Sequence, residues 1–338
     1  MQHGFLPIVV GAVLTIVANT ATAATIDDVK SKGFLQCGVN TGLIGFSETD
    51  DNDNWTGFDV DYCRAVAAAI FNDPDAVKFT PLTASERFNA LRTGEIDMLA
   101  RNATWTMTRD TTLGFVFVGV SYYGGQGFMI RKSLGVASAL ELSGATVCVR
   151  TGATTELNLV DYFTTNSMNY ELVVFKTELE VSEAYDSDRC HVYSADASAL
   201  YLARLTLASP DDHVVLPEII SKEPLGPAVR QGDEQWFNIV KWVHFALLNA
   251  EELGVTQANV DEMNTSENED VRRLLGADGA FGEGIGLSNQ WAADIVRAVG
   301  NYGEIFERNV GSDSDLRIVR GLNRLWTEGG IQYAPPIK

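Results

Sequence analysis

The stretch Asp97-Met98-Leu99-Ala100-Arg101-Asn102-Ala103-Thr104-Trp105-Thr106-Met107-Thr108-Arg109 passes from a short apolar run into hydroxyls, an amide and two arginines. The apolar start predicts a buried strand over 96–100, and the polar end is what that strand delivers. Arginine's planar fork pairs bidentately with a carboxylate, while a neighbouring Thr or Asn oxygen accepts from an ammonium. Those are the two groups of every free α-amino acid, so the cluster reads as the floor of a pocket for one.

Outward from this strand, short apolar segments alternate with helical ones. Leu35 to Val39 and Val77 to Phe79 read as strands, and Asp59 to Phe71 as a helix stopped by Asp73-Pro74. Thr83-Ala84-Ser85-Glu86 is a capping box for a helix closed by Gly94. The same grammar returns beyond 126, with strands at Ala145–Val149, Leu172–Phe175 and Cys190–Ser194 and helices between them. Such alternation predicts an α/β protein with mostly parallel sheets. It is expected to have two lobes: residues 24–125 with 225–338, and an inserted lobe over 126–224. The chain would cross between them at Gly124–Ile130 and Ile219–Val229, where glycines could absorb a hinge rotation.

The 338 residues carry a net charge of −20, with 46% hydrophobic and 21% charged residues, the balance of an ordinary globular protein. An acidic surface argues against nucleic acid and anionic membranes as partners. No charged residue precedes Asp27, and the apolar run Leu6 to Val17 is too short to span a bilayer. Ala21-Thr22-Ala23 follows with the small-x-small pattern of a cleavage site, so residues 1–23 are expected to be an export signal. Outside it no window reaches transmembrane length. Four cysteines allow three complete pairings, and an oxidising compartment favours Cys37–Cys63 and Cys148–Cys190, each within one lobe.

A second half-site lies at Thr151-Gly152-Ala153-Thr154-Thr155 and Asp196. A glycine turn opening a helix presents unpaired N–H groups to an anion, here a carboxylate gripped by Arg109 from one side and Thr154 from the other. The turn could equally be a threonine-capped helix start. Asp196 could cap the following helix or face a ligand ammonium. Arg109 and Asp196 both follow strands, where α/β ligands bind, which favours the site. Asn40 and Leu43 are candidates for the same cleft, and Phe46 for cleft or core. Ser85 and Glu86 are candidates for the ligand side chain. Arg101 is a second anion partner or a surface salt bridge. The common hydrolase, zinc-protease and P-loop patterns are missing, the histidines lie apart, and no cofactor or metal is expected.

Several strings resemble the periplasmic solute-binding proteins of polar amino-acid ABC transporters, and most closely their general L-amino-acid branch. They are Gly57-Phe58-Asp59-Val60-Asp61-Tyr62-Cys63-Arg64-Ala65, Pro81-Leu82-Thr83-Ala84, Asn102 to Asp110, Ser121 to Phe128 and Thr154 to Leu159. Asp212 to Glu218, Gly226-Pro227 and Gly300 to Phe306 agree as well. The resemblance implies a type II periplasmic-binding fold: two α/β lobes joined by two hinge strands, closing on one amino acid. It implies that Arg109 and the turn at Thr154 hold the α-carboxylate. Asp196, Asn102 and Thr104 would hold the α-ammonium. The strings Arg150-Thr151-Gly152-Ala153 and Tyr193-Ser194-Ala195 depart from the usual pattern, which bears on side-chain preference. The expected protein is a non-enzymatic monomeric receptor for polar or acidic L-amino acids that hands its cargo to permease subunits. The alternatives are an enzyme on the same fold, such as a dehydratase or lytic cell-wall enzyme, and a ligand-sensing module.

Overall fold

A computed structural model describes residues 24–338, so the expected signal at 1–23 lies outside the described residues. Two five-stranded sheets organise the chain. The first runs Val77–Leu82, Leu35–Asn40, Met98–Leu99, Ala228–Arg230, Phe115–Phe117, and the second Tyr170–Phe175, Ala145–Arg150, Val192–Asp196, Gln126–Arg131, His213–Val215. Three strands of each are parallel, as alternating helices require. One of the other two in each sheet runs against them, and the last runs with them. Gln126–Arg131 opposes both Val192–Asp196 and His213–Val215, and Ala228–Arg230 opposes both its neighbours. Each sheet is therefore mixed, with four strands in one direction, as the alternation of strands and helices predicts, and one against them. The strand that carries the chain into one sheet, and the one that returns it to the other, run against the βαβ strands beside them.

Between the sheets, Tyr122–Gly124 pairs antiparallel with Glu223–Leu225, with Glu223 opposite Gly124. The first crossing is thus at Tyr122–Gly124, and the segment read as a linker up to Ile130 is a buried strand of the second sheet. Nor is Gly125 a free swivel. A Cβ there would lie 2.3 Å from Ile219 Cγ2 and 2.9 Å from the Ser221 carbonyl, so glycine is required by close packing.

Helix Phe58–Phe71 buries eleven of its fourteen residues against Leu35–Asn40 and the helices Glu234–Glu252 and Trp291–Val299. Trp236 on the long helix donates its Nε1–H to the Asp97 carbonyl at 3.0 Å, fixing that helix beneath the strand that ends in the arginine cluster. Phe46 is core, edge-on to Tyr122 at 5.3 Å and to Phe58 at 6.0 Å. His244 is a buried core histidine hydrogen-bonded to Tyr62 Oη at 3.1 Å, and burial pushes its pKa down to about 4. No helix among the described residues is long and apolar enough to cross a membrane.

Cys37 pairs with Cys63 and Cys148 with Cys190, each joining a strand to an element of the same sheet's lobe. The loops closed span 26 and 42 residues, for which chain entropy gives about 3.5 and about 4 kcal/mol. Reduction is expected to lower unfolding free energy by amounts of that order, more for the Cys148–Cys190 bridge. Denaturant titration of the two Cys→Ser pairs measures this, and an unchanged midpoint would refute it.

Candidate functional site

The strand Met98–Leu99 ends at Arg101, and the chain then turns through Asn102, held at φ +35°. That unusual conformation is anchored: the Asn102 N–H donates to the Asp59 carboxylate at 2.7 Å. The Asn102 side-chain Oδ1 accepts from Asn40 Nδ2 at 3.0 Å and Arg101 Nη1 at 3.3 Å. Both its lone pairs are occupied, so the carboxamide oxygen implied as an ammonium acceptor is spent within the protein. Asn40 is committed to the same network. Arg101 is buried, not a surface salt bridge, and its Nε–H donates to the Leu82 carbonyl at 2.8 Å.

Four guanidiniums converge here. Arg87, Arg101, Arg109 and Arg150 are all buried; beside burial, the charges of the other three push the Arg87 pKa down, those of Arg150 and Arg109 push Arg101 down, and that of Arg150 pushes Arg109 down. Burial is the larger cause, and for Arg109 the result is about 10. Arg109 sits in the single helical turn Thr108–Thr112, 4.9 Å over the Phe88 ring, and its Nη1 donates to the Thr104 carbonyl at 2.6 Å. Arg150 ends a strand of the second sheet and pairs with Glu178 at 2.5 Å. The cluster thus joins side chains from both sheets.

Opposite them stands Asp196, at the end of Val192–Asp196 and the start of helix Ala197–Thr206. It makes no capping bond, and its Oδ1 is enclosed without a hydrogen-bond partner, as are Arg87 Nε and Arg150 Nε. Buried polar atoms in native proteins are nearly always satisfied, so three orphans of both charges in one place are groups that a bound ligand would satisfy. Burial pushes the Asp196 carboxyl up to about 7; the Glu223 charge adds to this and Arg150 opposes it.

Thr154 opens helix Thr154–Thr165, whose first residues have no side-chain cap. Its hydroxyl donates to Glu223 Oε2 at 2.8 Å and lies 3.3 Å from Thr104 Oγ1. Thr104 and Thr154 are therefore brought together although they are 50 residues apart. Ser85 is exposed at the rim, and Glu86 accepts from Thr83, closing the helix start rather than reaching inward.

Gly152 holds φ +73° in the turn before Thr154. A Cβ there would stand 3.2 Å from Ser85 N and 3.3 Å from Ser85 Cα, across the gap between the two sheets' elements. The left-handed conformation costs an L-residue about 1–2 kcal/mol in any state of the protein. The contact with Ser85 opposes only the closed one. Gly152→Ala is expected to weaken ligand binding by about tenfold, equivalent to 1.4 kcal/mol. Calorimetry reads the affinity and small-angle scattering the closure; unchanged values for both would show that Gly152 and Ser85 do not limit it.

Glu223, Arg150, Glu178 and Arg87 were not singled out from the sequence. Arg150 had a signal, since like Arg101 it ends an apolar strand. Glu223 had none: apart from Ser221, its partners Thr104, Thr154 and Asn158 come from distant segments.

Residues 35–258 match bacterial extracellular solute-binding proteins, family 3. The chain is 61% identical, over 100% of both chains, to the general L-amino acid-binding periplasmic protein of Rhizobium johnstonii. It is 52% identical to the glutamate/glutamine/aspartate/asparagine-binding protein of Rhodobacter capsulatus, over 97% of each chain. Among solved structures, an ABC transporter periplasmic binding protein from Brucella ovis with glutathione bound superposes with a TM-score of 0.92. It is 60% identical and covers 94% of this chain and 100% of its own. The two lobes of the present chain, each with a mixed sheet, are those of the type II periplasmic-binding fold. On the family match across most of its length, and on relatives of this similarity, the chain belongs to the bacterial extracellular solute-binding proteins, family 3.

Proposed function

We propose that this protein is a periplasmic receptor for free L-amino acids, polar and acidic ones foremost, that delivers them to the permease of an ABC transporter. The observation that carries the reading is the orphaned Asp196 Oδ1 within electrostatic reach of Arg109 and Arg150. A zwitterion satisfies both sides at once. The α-carboxylate goes to Arg109 and to the free N–H groups at Thr154, and the α-ammonium to Asp196 and Thr104. Arg101 and Arg87 suit an acidic or amide side chain. The relatives' binding of L-amino acids, glutamate and glutamine among them, supports the choice.

Residues 24–125 with 225–338 form one moving body and 126–224 the other, hinged at Tyr122–Gly124 and Glu223–Leu225. A ligand touching both bodies favours the closed form by its differential affinity for it. The mature chain starts near Ala24 after export, and works as a monomer and as a binder rather than an enzyme or a sensor. Glutathione carries a free α-amino-acid head on its γ-glutamyl end, so the Brucella ovis structure favours a second ligand class for the same subsite.

A thermal-shift screen of refolded, ligand-free protein against the common amino acids, glutathione, sugars and dicarboxylates tests this. A ligand at a hundred times its Kd adds about 2.7 kcal/mol. Shifts with several polar or acidic L-amino acids and none with sugars are expected. No shift with any amino acid would overturn the proposal.

A further inference from the structure

Glu223 is 1% exposed, on the returning hinge strand, and its carboxylate is ringed by donors from three directions. Oε1 accepts from Asn158 Nδ2 at 2.7 Å and from Ser221 Oγ at 2.9 Å. Oε2 accepts from Thr154 Oγ1 at 2.8 Å and from the Thr104 hydroxyl. An ionised carboxylate accepts only, so any proton in these contacts is donated toward Glu223.

This has a consequence for the two hydroxyls. Each threonine owns a single O–H proton. Either both protons point to Oε2, or one passes along the 3.3 Å Thr104–Thr154 contact while the other goes to Oε2. In both arrangements no hydroxyl proton is left to point into the cleft, and what the ligand meets is oxygen lone pairs. In either arrangement at least one threonine oxygen takes no proton from the other, and the free Asp196 Oδ1 has no hydrogen-bond partner. An ammonium has three N–H donors to give them, whereas a hydroxyl on the same carbon has one. We propose that Glu223 is a positioning residue that turns the Thr104 and Thr154 hydroxyls into acceptors, so that the cleft selects ligands carrying an α-ammonium over otherwise identical α-hydroxy acids. The inference rests on the amino-acid reading above.

Placement on the hinge strand strengthens the argument. Thr104 bridges to Leu225 and Trp105 N–H donates to the Pro224 carbonyl at 2.8 Å, so the strand holding Glu223 is tied to the Thr104 segment. Thr154 and Asn158 lie on successive turns of one helix of the other body, both reaching the same carboxylate. The acceptor pair is therefore assembled only when the two bodies meet around Glu223, and recognition of the ammonium is tied to closure.

The test is calorimetry at pH 8 with L-glutamate and (S)-2-hydroxyglutarate, which differ only in ammonium against hydroxyl. The parent protein, Glu223→Ala and Glu223→Gln are compared. In Glu223→Ala both threonine protons are released and can turn into the cleft. Affinity for L-glutamate is expected to fall about 10- to 100-fold, the range for hydrogen bonds to a charged group, and affinity for the hydroxy acid by less than about threefold on the same scale. Glu223→Gln keeps one accepting oxygen and is expected to fall between, which is the partial rescue a positioning role demands. If Glu223→Ala does not fold, the Gln variant alone carries the test, its preference for L-glutamate dropping at least about threefold. Equal losses for the two ligands in either variant would make Glu223 a mere clasp and overturn this inference alone. A parent protein that binds neither ligand would overturn it together with the amino-acid reading.

Discussion

The Arg109→Ala protein is expected to bind L-amino acids at least about a hundredfold more weakly than the parent while remaining folded. Truncating one partner of a buried, hydrogen-bonded charge pair costs about 2–5 kcal/mol of binding, or about 30- to several-thousandfold in Kd. The upper range applies because the α-carboxylate would then be enclosed without its bidentate partner. Folded stability should move far less. Arg109 lies beside three other buried guanidiniums and lowers the pKa of Arg87 and Arg101, so removing it relieves repulsion. What is lost is one bond to the Thr104 carbonyl and the contact with the Phe88 ring. Calorimetry and denaturant titration separate the two effects. Affinity within threefold of the parent would remove Arg109 from the carboxylate clamp.

Asp196→Asn is the second large effect, and it carries a pH signature. Burial, then the Glu223 charge, raises the Asp196 carboxyl to about 7 in the ligand-free protein. The ammonium needs the ionised form, so below that pH binding must first expel a proton. Affinity of the parent should therefore rise as pH goes from 5 to 8, approaching tenfold per unit below the midpoint. Folding stability moves the other way. A carboxyl whose folded pKa is raised contributes stability that is present below its unfolded value of 3.8 and lost as pH rises through about 7. Asp59, raised by burial to about 7 as well, adds to that loss, while His244, held near 4, opposes it below its ordinary 6.5. In Asp196→Asn the affinity at pH 8 is expected to drop by about a hundredfold, within the cost of losing one partner of a buried charge pair. The pH dependence between 5 and 8 flattens with it. A variant that keeps the parent's slope would show that another group titrates with binding.

Much of this protein could be read along the chain because its signals are local. Strand and helix alternation, the Thr83–Glu86 helix start and the placement of Arg109 and Asp196 after strands all depend on residues within a turn or two of each other. The disulfide pairing within each lobe was legible for a related reason, since each bridge joins segments close in sequence. Phe46 could be core or cleft on sequence grounds, and only the aromatic cluster around Tyr122 and Phe58 decides for the core.

Charge burial was not legible. An arginine at 101 looks the same whether it makes a surface ion pair or lies 1% exposed, because desolvation is set by what packs over it from elsewhere. Likewise Asn102 has the right chemistry for an ammonium acceptor, but its oxygen is taken by Asn40, 62 residues away. By itself the sequence determined the two-lobed α/β design, the bridges and the residue types proposed for a zwitterion site. Only the tertiary structure decided which of those groups stay free for a ligand. Hydrogen-bonding capacity is finite, and distant partners such as Glu223 consume part of it before any ligand arrives.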